Sequence, residues 1–189
     1  MREMASYTEE YIEAVQRVLT DLDVRSVNEV IGRIHLLKQR GGRLFVIGVG
    51  GSAANASHAV NDLRKIAGIE AYAPTDNVAE LTARTNDDGW ATVFVGWLKV
   101  SRLGSLDAVL VLSVGGGSGK VSWNIVEAVR YARESGATVL GIFGRDGGYT
   151  ARHADAVVIV PMVEERFVTA VTESMQSVLL HLIVTGVGI

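Results

Sequence analysis

Residues 44–63 read Leu-Phe-Val-Ile-Gly-Val-Gly-Gly-Ser-Ala-Ala-Asn-Ala-Ser-His-Ala-Val-Asn-Asp-Leu, and this stretch decides the fold. Leu44 to Ile47 form an apolar run with β-branched members, the pattern of a strand covered on both faces. Gly48, Gly50 and Gly51 break that run and allow a tight turn with backbone N–H groups open to a ligand. From Ser52, which reads as an N-cap, the alanines at 53, 54, 56 and 59 favour helix. Strand, glycine turn and helix N-terminus together make a cradle for a phosphate or carboxylate. His58 and Asp62, four residues apart, share one face of that helix.

Outward from this unit the pattern alternates. Two amphipathic helices are predicted across residues 8–40, with a short break at Asp21–Arg25. Ser26 and Glu29 are read as the capping box of the second. The apolar stripe of this pair can lie on the sheet or on another subunit, and the second is favoured in part. Gly41-Gly42 releases the chain into the first strand. After the helix over 52–67, further strands are expected at Ile69–Ala73, Leu106–Leu112, Thr138–Phe143 and Val157–Val160. Helices are expected at Val78–Arg84, capped by Asp76 or Asn77, at 122–135 and at about 166–185, and Trp90–Val100 is a further apolar segment. Alternation of this kind implies a parallel sheet with right-handed crossovers and a ligand site beyond the strand carboxyl ends. A second glycine loop, Ser113 to Lys120, leaves a strand at the same edge.

The chain of 189 residues reads as one domain with a sizeable core. Its net charge of −3, without a basic stripe, disfavours a nucleic-acid partner. The absence of cysteine excludes disulfides and thiolate chemistry. Met1 to Glu10 is polar and acidic, unlike a signal peptide, and no apolar run is read as reaching membrane-spanning length, so a cytoplasmic protein is expected.

Two nucleotide motifs are incomplete in this chain. Gly48-x-Gly50-x-x-Ala53 matches the dinucleotide fingerprint, but the acid due at the end of the second strand is missing, since Glu70 stands at its beginning. Gly115–Lys120 suggests a P-loop, yet Val114 and Val121 stand where Gly and Ser/Thr are required. No nucleotide cofactor is expected. What survives is a loop offering amides and the hydroxyls of Ser113 and Ser118 to an anion.

A lone histidine is commonly inert and half-buried. Here His58 and Asp62 are matched by Glu173 and His181, two turns apart on the last helix, and together they form a set suited to zinc or another divalent cation. Asn86-Asp87 reads most simply as a turn capping the next helix, and Arg84 and Lys120 face either a phosphate or solvent.

Taken in order, these residues resemble the sugar isomerase (SIS) domain, and within it the phosphoheptose isomerases. The motifs are Gly50-Gly51-Ser52 before His58 and Asp62, Thr85-Asn86-Asp87, Ser113–Ser118, Gly144-Arg145-Asp146-Gly147-Gly148, then Glu173 and His181. The likeness covers essentially the whole chain, residues 1–189, as a helical pair over 1–42 and an α/β core over 43–189. It implies a flavodoxin-like three-layer sandwich around a five-stranded parallel sheet, and a homotetramer with active sites between subunits. It implies an aldose–ketose isomerase that interconverts sedoheptulose 7-phosphate and D-glycero-D-manno-heptose 7-phosphate through an enediol. The alternatives within the same likeness are a regulator that binds a sugar phosphate without catalysis and an isomerase of another phosphosugar.

By this resemblance Asp62 is the base, His181 the general acid and Asp87 a further catalytic residue. Gly50, Gly51, Ser52, Asn86, Ser113, Gly115, Ser118 and Glu173 contact the phosphosugar. His58, Asp62, Glu173 and His181 fall at the zinc positions. The departures are Asp62 for a usual Glu, Glu173 for Gln, Val49 for Asn and Gly115 for Ser. Asp62 is one methylene shorter, which withdraws the carboxylate by about 1.5 Å, a displacement large enough to matter for rate.

Overall fold

The computed structural model describes residues 2–188, with side chains from Ser6 onward. The chain runs α1 (Arg2–Asp21), α2 (Val24–Gln39), β1 (Leu44–Gly48), α3 (Gly51–Lys65), β2 (Ala71–Tyr72), α4 (Val78–Asp87), α5 (Val93–Val100) and β3 (Ala108–Ser113). It continues through α6 (Trp123–Glu134), β4 (Thr138–Phe143), α7 (Gly148–His153), β5 (Ala156–Ile159) and α8 (Val168–Gly188). The five strands form one parallel sheet in the order β2-β1-β3-β4-β5. This is the doubly wound order whose switch point lies between β1 and β3.

Every residue of β1 and β3 is buried, because each strand face meets helices. Leu44, Val46, Leu110, Leu112, Leu140 and Ile142 point into one core with α2, α3 and α8. Phe45, Ile47, Val109, Val111, Val139 and Phe143 point the other way, against α5 and α6. The period-2 alternation of a strand thus supplies both cores of the expected three-layer sandwich. On α6, the expected stripe Ile125, Val126, Val129 and Ala132 is fully inside.

Several local expectations are corrected. Helix α2 starts two residues before the expected capping box. Asp23, in extended conformation, caps it by accepting from the Arg25 amide at 2.9 Å, while Ser26 lies inside the helix and donates to the Asp23 carbonyl. The stripe Val27, Val30, Ile34 and Leu37 packs on the chain's own β5 and α8, so this subunit covers it rather than another. Residues 85–87 continue α4 instead of forming a turn; Asn77 caps that helix as expected, accepting from the Glu80 amide. The turn 144–148 leads into α7, which the sequence reading did not anticipate.

Glu165–Gly188 is long and apolar enough to cross a membrane by length and composition, where no such run is expected from the sequence. More than half of its apolar window is buried inside the molecule, against α2, α3 and β4. It is a core helix.

Candidate active site

The two glycine loops leave β1 and β3 side by side at the switch point. Between them lies a cavity of about 390 Å³ whose lining includes Ser52, Ser113, Gly115, Ser118, Arg145 and Glu173. Five of the sequence-derived contact residues therefore share one cavity. Gly50, at φ +64°, occupies the N-cap position of α3. A side chain there is disfavoured by backbone conformation alone.

Ser52 departs from its expected role. It stands inside α3, buried, and its hydroxyl donates to Gln176 Oε1 at 2.9 Å. The reason is that the N-cap falls at Gly50, two residues earlier than expected, which turns this hydroxyl towards α8. Gln176, itself fully buried, also accepts from Asn55 Nδ2 at 3.2 Å. Gly51 is the close-approach position: a Cβ there would collide with the carboxylate of Glu173.

In the second loop the serines are arranged as donors. Ser113 Oγ accepts from the Gly116 amide at 3.1 Å, and Ser118 Oγ accepts from the amides of Lys120 and Val121 at 3.3 and 3.1 Å. With those lone pairs occupied, each hydroxyl proton is left for an anionic ligand. A third loop braces the second. Thr150 donates through both its hydroxyl and its amide to the Gly116 carbonyl, at 2.7 and 3.0 Å, and the Tyr149 amide donates to Gly117. Gly116 has φ +64°, and a Cβ on it would overlap the Gly147 carbonyl, so only glycine fits where these loops touch.

The remaining charged candidates sort themselves. Lys120 is exposed and does not line the cavity. Arg84 pairs with Glu80 at 2.8 Å on its own helix. Asn86 and Asp87 end α4 in exposed positions, hydrogen-bonded to one another, away from the cavity lining. Arg145, which belongs to the Gly144–Gly148 motif but is not among the expected contact residues, does line it. Its signal was its place directly after β4, at the carboxyl edge that also carries the other two loops.

Further along α3 and α8 the ionisable residues meet. Asp62 Oδ2 lies 3.1 Å from His58 Nε2 and 3.5 Å from His181 Nε2, and the two Nε2 atoms are 3.1 Å apart. Asp62 is largely buried, and its other oxygen accepts from Asn61 Nδ2 at 2.9 Å. That bond turns Oδ2 towards the imidazoles, whose side chains are 55 % exposed. His58, Asp62 and His181 present three donor atoms that can hold a metal ion. Glu173, expected as a fourth, is absent from this group and lines the cavity instead.

Fold and site together define a class, and sequence comparison agrees. Residues 7–144 match the family model of the SIS domain, and the chain belongs to that family. Within it the chain stands with the phosphoheptose isomerases. It is 29 % identical to a probable phosphoheptose isomerase of Thermoplasma volcanium over 92 % of this chain and 87 % of that protein. The solved phosphoheptose isomerase GmhA of Neisseria gonorrhoeae superposes with a TM-score of 0.84 at 27 % identity, covering 98 % of this chain and 97 % of that one. The lincomycin biosynthesis protein LmbN of Streptomyces lincolnensis is 34 % identical over 75 % of this chain, which spans 54 % of that protein's length.

Proposed function

We propose that the protein interconverts sedoheptulose 7-phosphate and D-glycero-D-manno-heptose 7-phosphate by aldose–ketose isomerisation. The observation that carries this reading is the approach of the Asp62 carboxylate to His181 across the α3–α8 seam, at 3.5 Å, on the same two helices whose Ser52 and Glu173 line the serine cavity, although the pair itself is not part of that lining. Glu173 at the cavity and His181 are eight residues apart on one helix, about 12 Å along its axis. A ligand serving both places must be extended, as an open-chain sugar phosphate is.

Each residue then has a task. The amides of the second loop and the hydroxyls of Ser113 and Ser118 hold the phosphate, whose remote binding energy positions the sugar. Asp62 Oδ2 takes the proton from C1 of the ketose as the C2 oxygen gains one from His181. The carboxyl returns its proton to C2, and the C1 hydroxyl gives its proton to the now neutral His181 as the aldehyde forms, which restores both groups. Atoms balance with no external oxidant, which suits a site of one carboxylate and one acid. Asn86 and Asp87 have no part in this reading.

The donor set also fits a zinc ion. Zinc–ligand distances of about 2.0–2.1 Å place tetrahedral ligands about 3.3–3.4 Å apart, close to the 3.1, 3.1 and 3.5 Å separations here. His58, Asp62 and His181 would hold it. It would supply Lewis-acid stabilisation of the developing enediolate. Asp62 Oδ2 and His181 Nε2 each serve either the ion or the proton at one instant, so metal content and turnover must be measured together. The exposed imidazoles support a homo-oligomer, tetrameric by the family likeness, in which a second copy covers the seam.

The test is to incubate the full chain with sedoheptulose 7-phosphate, with and without added zinc, and follow aldose formation by NMR. Aldose is expected. Tight binding without turnover would favour the regulator, and turnover of a different ketose phosphate alone would reassign the substrate.

A further inference from the structure

Among the described residues, the cavity between the glycine loops is lined by one cationic side chain, Arg145, and one anionic side chain, Glu173, the others being neutral. A phosphate monoester carries nearly two negative charges at neutral pH. Setting it beside Glu173 with water partly excluded is unfavourable unless a cation faces it. Lys120 is exposed and outside the lining, which leaves Arg145.

Its backbone is built for that position. Arg145 has φ +48°, a conformation rare for a residue with a side chain and frequent at functional sites. It follows Gly144, where a Cβ would overlap the Thr172 hydroxyl on α8 and crowd the Val114 carbonyl at 3.2 Å. The chain leaving β4 is thus pressed between α8 and the second loop, which fixes the Arg145 Cα at the cavity rim. The guanidinium now pairs with Glu165 Oε1 at 2.7 Å, and both side chains are about half exposed or more. Such a pair is weak in water. A phosphate offers two oxygens to the guanidinium fork and twice the charge.

We infer that Arg145 reads the phosphate charge by exchanging Glu165 for the bound ligand, so that Glu165 acts as a built-in competitor that lowers affinity. This rests on the phosphate reading of the cavity given above. Because Glu165 lies in the 3₁₀ turn Glu165–Phe167 directly before α8, the exchange removes one tie of that turn, while Arg166 stays paired with Glu10 and Phe167 packed on Tyr7 and Tyr11.

The test is titration calorimetry of the full chain with sedoheptulose 7-phosphate, comparing wild type, Arg145→Gln, Glu165→Gln, the double variant and Ser118→Ala. Arg145→Gln is expected to bind at least tenfold more weakly, and Glu165→Gln about two- to fivefold more tightly. The double variant is expected to match Arg145→Gln, since Glu165 then has nothing to sequester. Arg145→Gln binding within twofold of wild type while Ser118→Ala weakens would overturn the inference and leave the phosphate site standing. If neither variant weakens binding, the phosphate lies elsewhere and both readings fall. A tightening by Glu165→Gln that persists without Arg145 would also overturn the exchange.

Discussion

His58 and His181, from two helices that are distant in sequence, bring their Nε2 atoms to 3.1 Å with the rings nearly perpendicular. Two such nitrogens beside a carboxylate oxygen need a shared proton or a shared cation, since each carries a lone pair in its neutral form. We expect protein purified without chelator and supplemented with zinc to hold about one ion per chain by elemental analysis. His58→Ala and Asp62→Asn should each lower zinc affinity at least tenfold in a competition titration. Glu173→Gln should leave it unchanged, because Glu173 stands outside the triad. Loss of zinc in Glu173→Gln would restore the four-ligand set read from the sequence.

At the opposite edge of the sheet, Asp107 ties the start of β3 to β1. Its carboxylate takes Arg43 at 3.1 and 2.7 Å, together with the amides of Arg43 and Gly104, both at 3.0 Å. Burial pushes the Asp107 carboxyl up, but these bonds outweigh it and hold the group below its usual value. Asp107→Asn should cost about 2–3 kcal/mol at pH 7 by urea unfolding. A group depressed on folding stabilises fully above its unfolded pKa, about 3.9, and loses that contribution as pH falls through the folded value. The difference between wild type and variant should therefore shrink as the pH is lowered below about 4. A gap that stays constant into that range would contradict this assignment.

Gly116→Ala should lower stability by about 3 kcal/mol or more, through the positive-φ backbone and the collision with the Gly147 carbonyl. Gly50→Ala meets no neighbour, and its backbone, at φ +64° and ψ −130°, carries the whole penalty, so it should cost less, about 1–3 kcal/mol. Thermal unfolding of the two variants checks the order; equal losses would mean that the loops do not touch as described.

The sheet was legible because strands buried on both faces read as unbroken apolar runs, as in Leu44–Ile47 and Ala108–Leu112. The glycine loops were legible because each follows such a run. Capping was harder to read. Asp23 and Ser26 both suit an N-cap, and only the two-residue link Leu22-Asp23 decides between them. The partner of the Ser52 hydroxyl, Gln176, lies 124 positions away and carries no local signal. Arg145 escaped assignment for a similar reason: its charge matters through the cavity it borders, which three separate loops create. Residue type did point to the meeting of His58, Asp62 and His181, but periodicity could not show that α3 and α8 pack together.

The most direct measurement is proton exchange at carbon in deuterated solvent. With sedoheptulose 7-phosphate and the wild-type chain, we expect aldose carrying deuterium at C2 in the NMR spectrum. With Asp62→Asn, we expect both turnover and deuterium incorporation to fall by about 10²- to 10⁴-fold. An Asp62→Asn variant that turns over and exchanges at the wild-type rate would contradict the assignment of this carboxylate as the base.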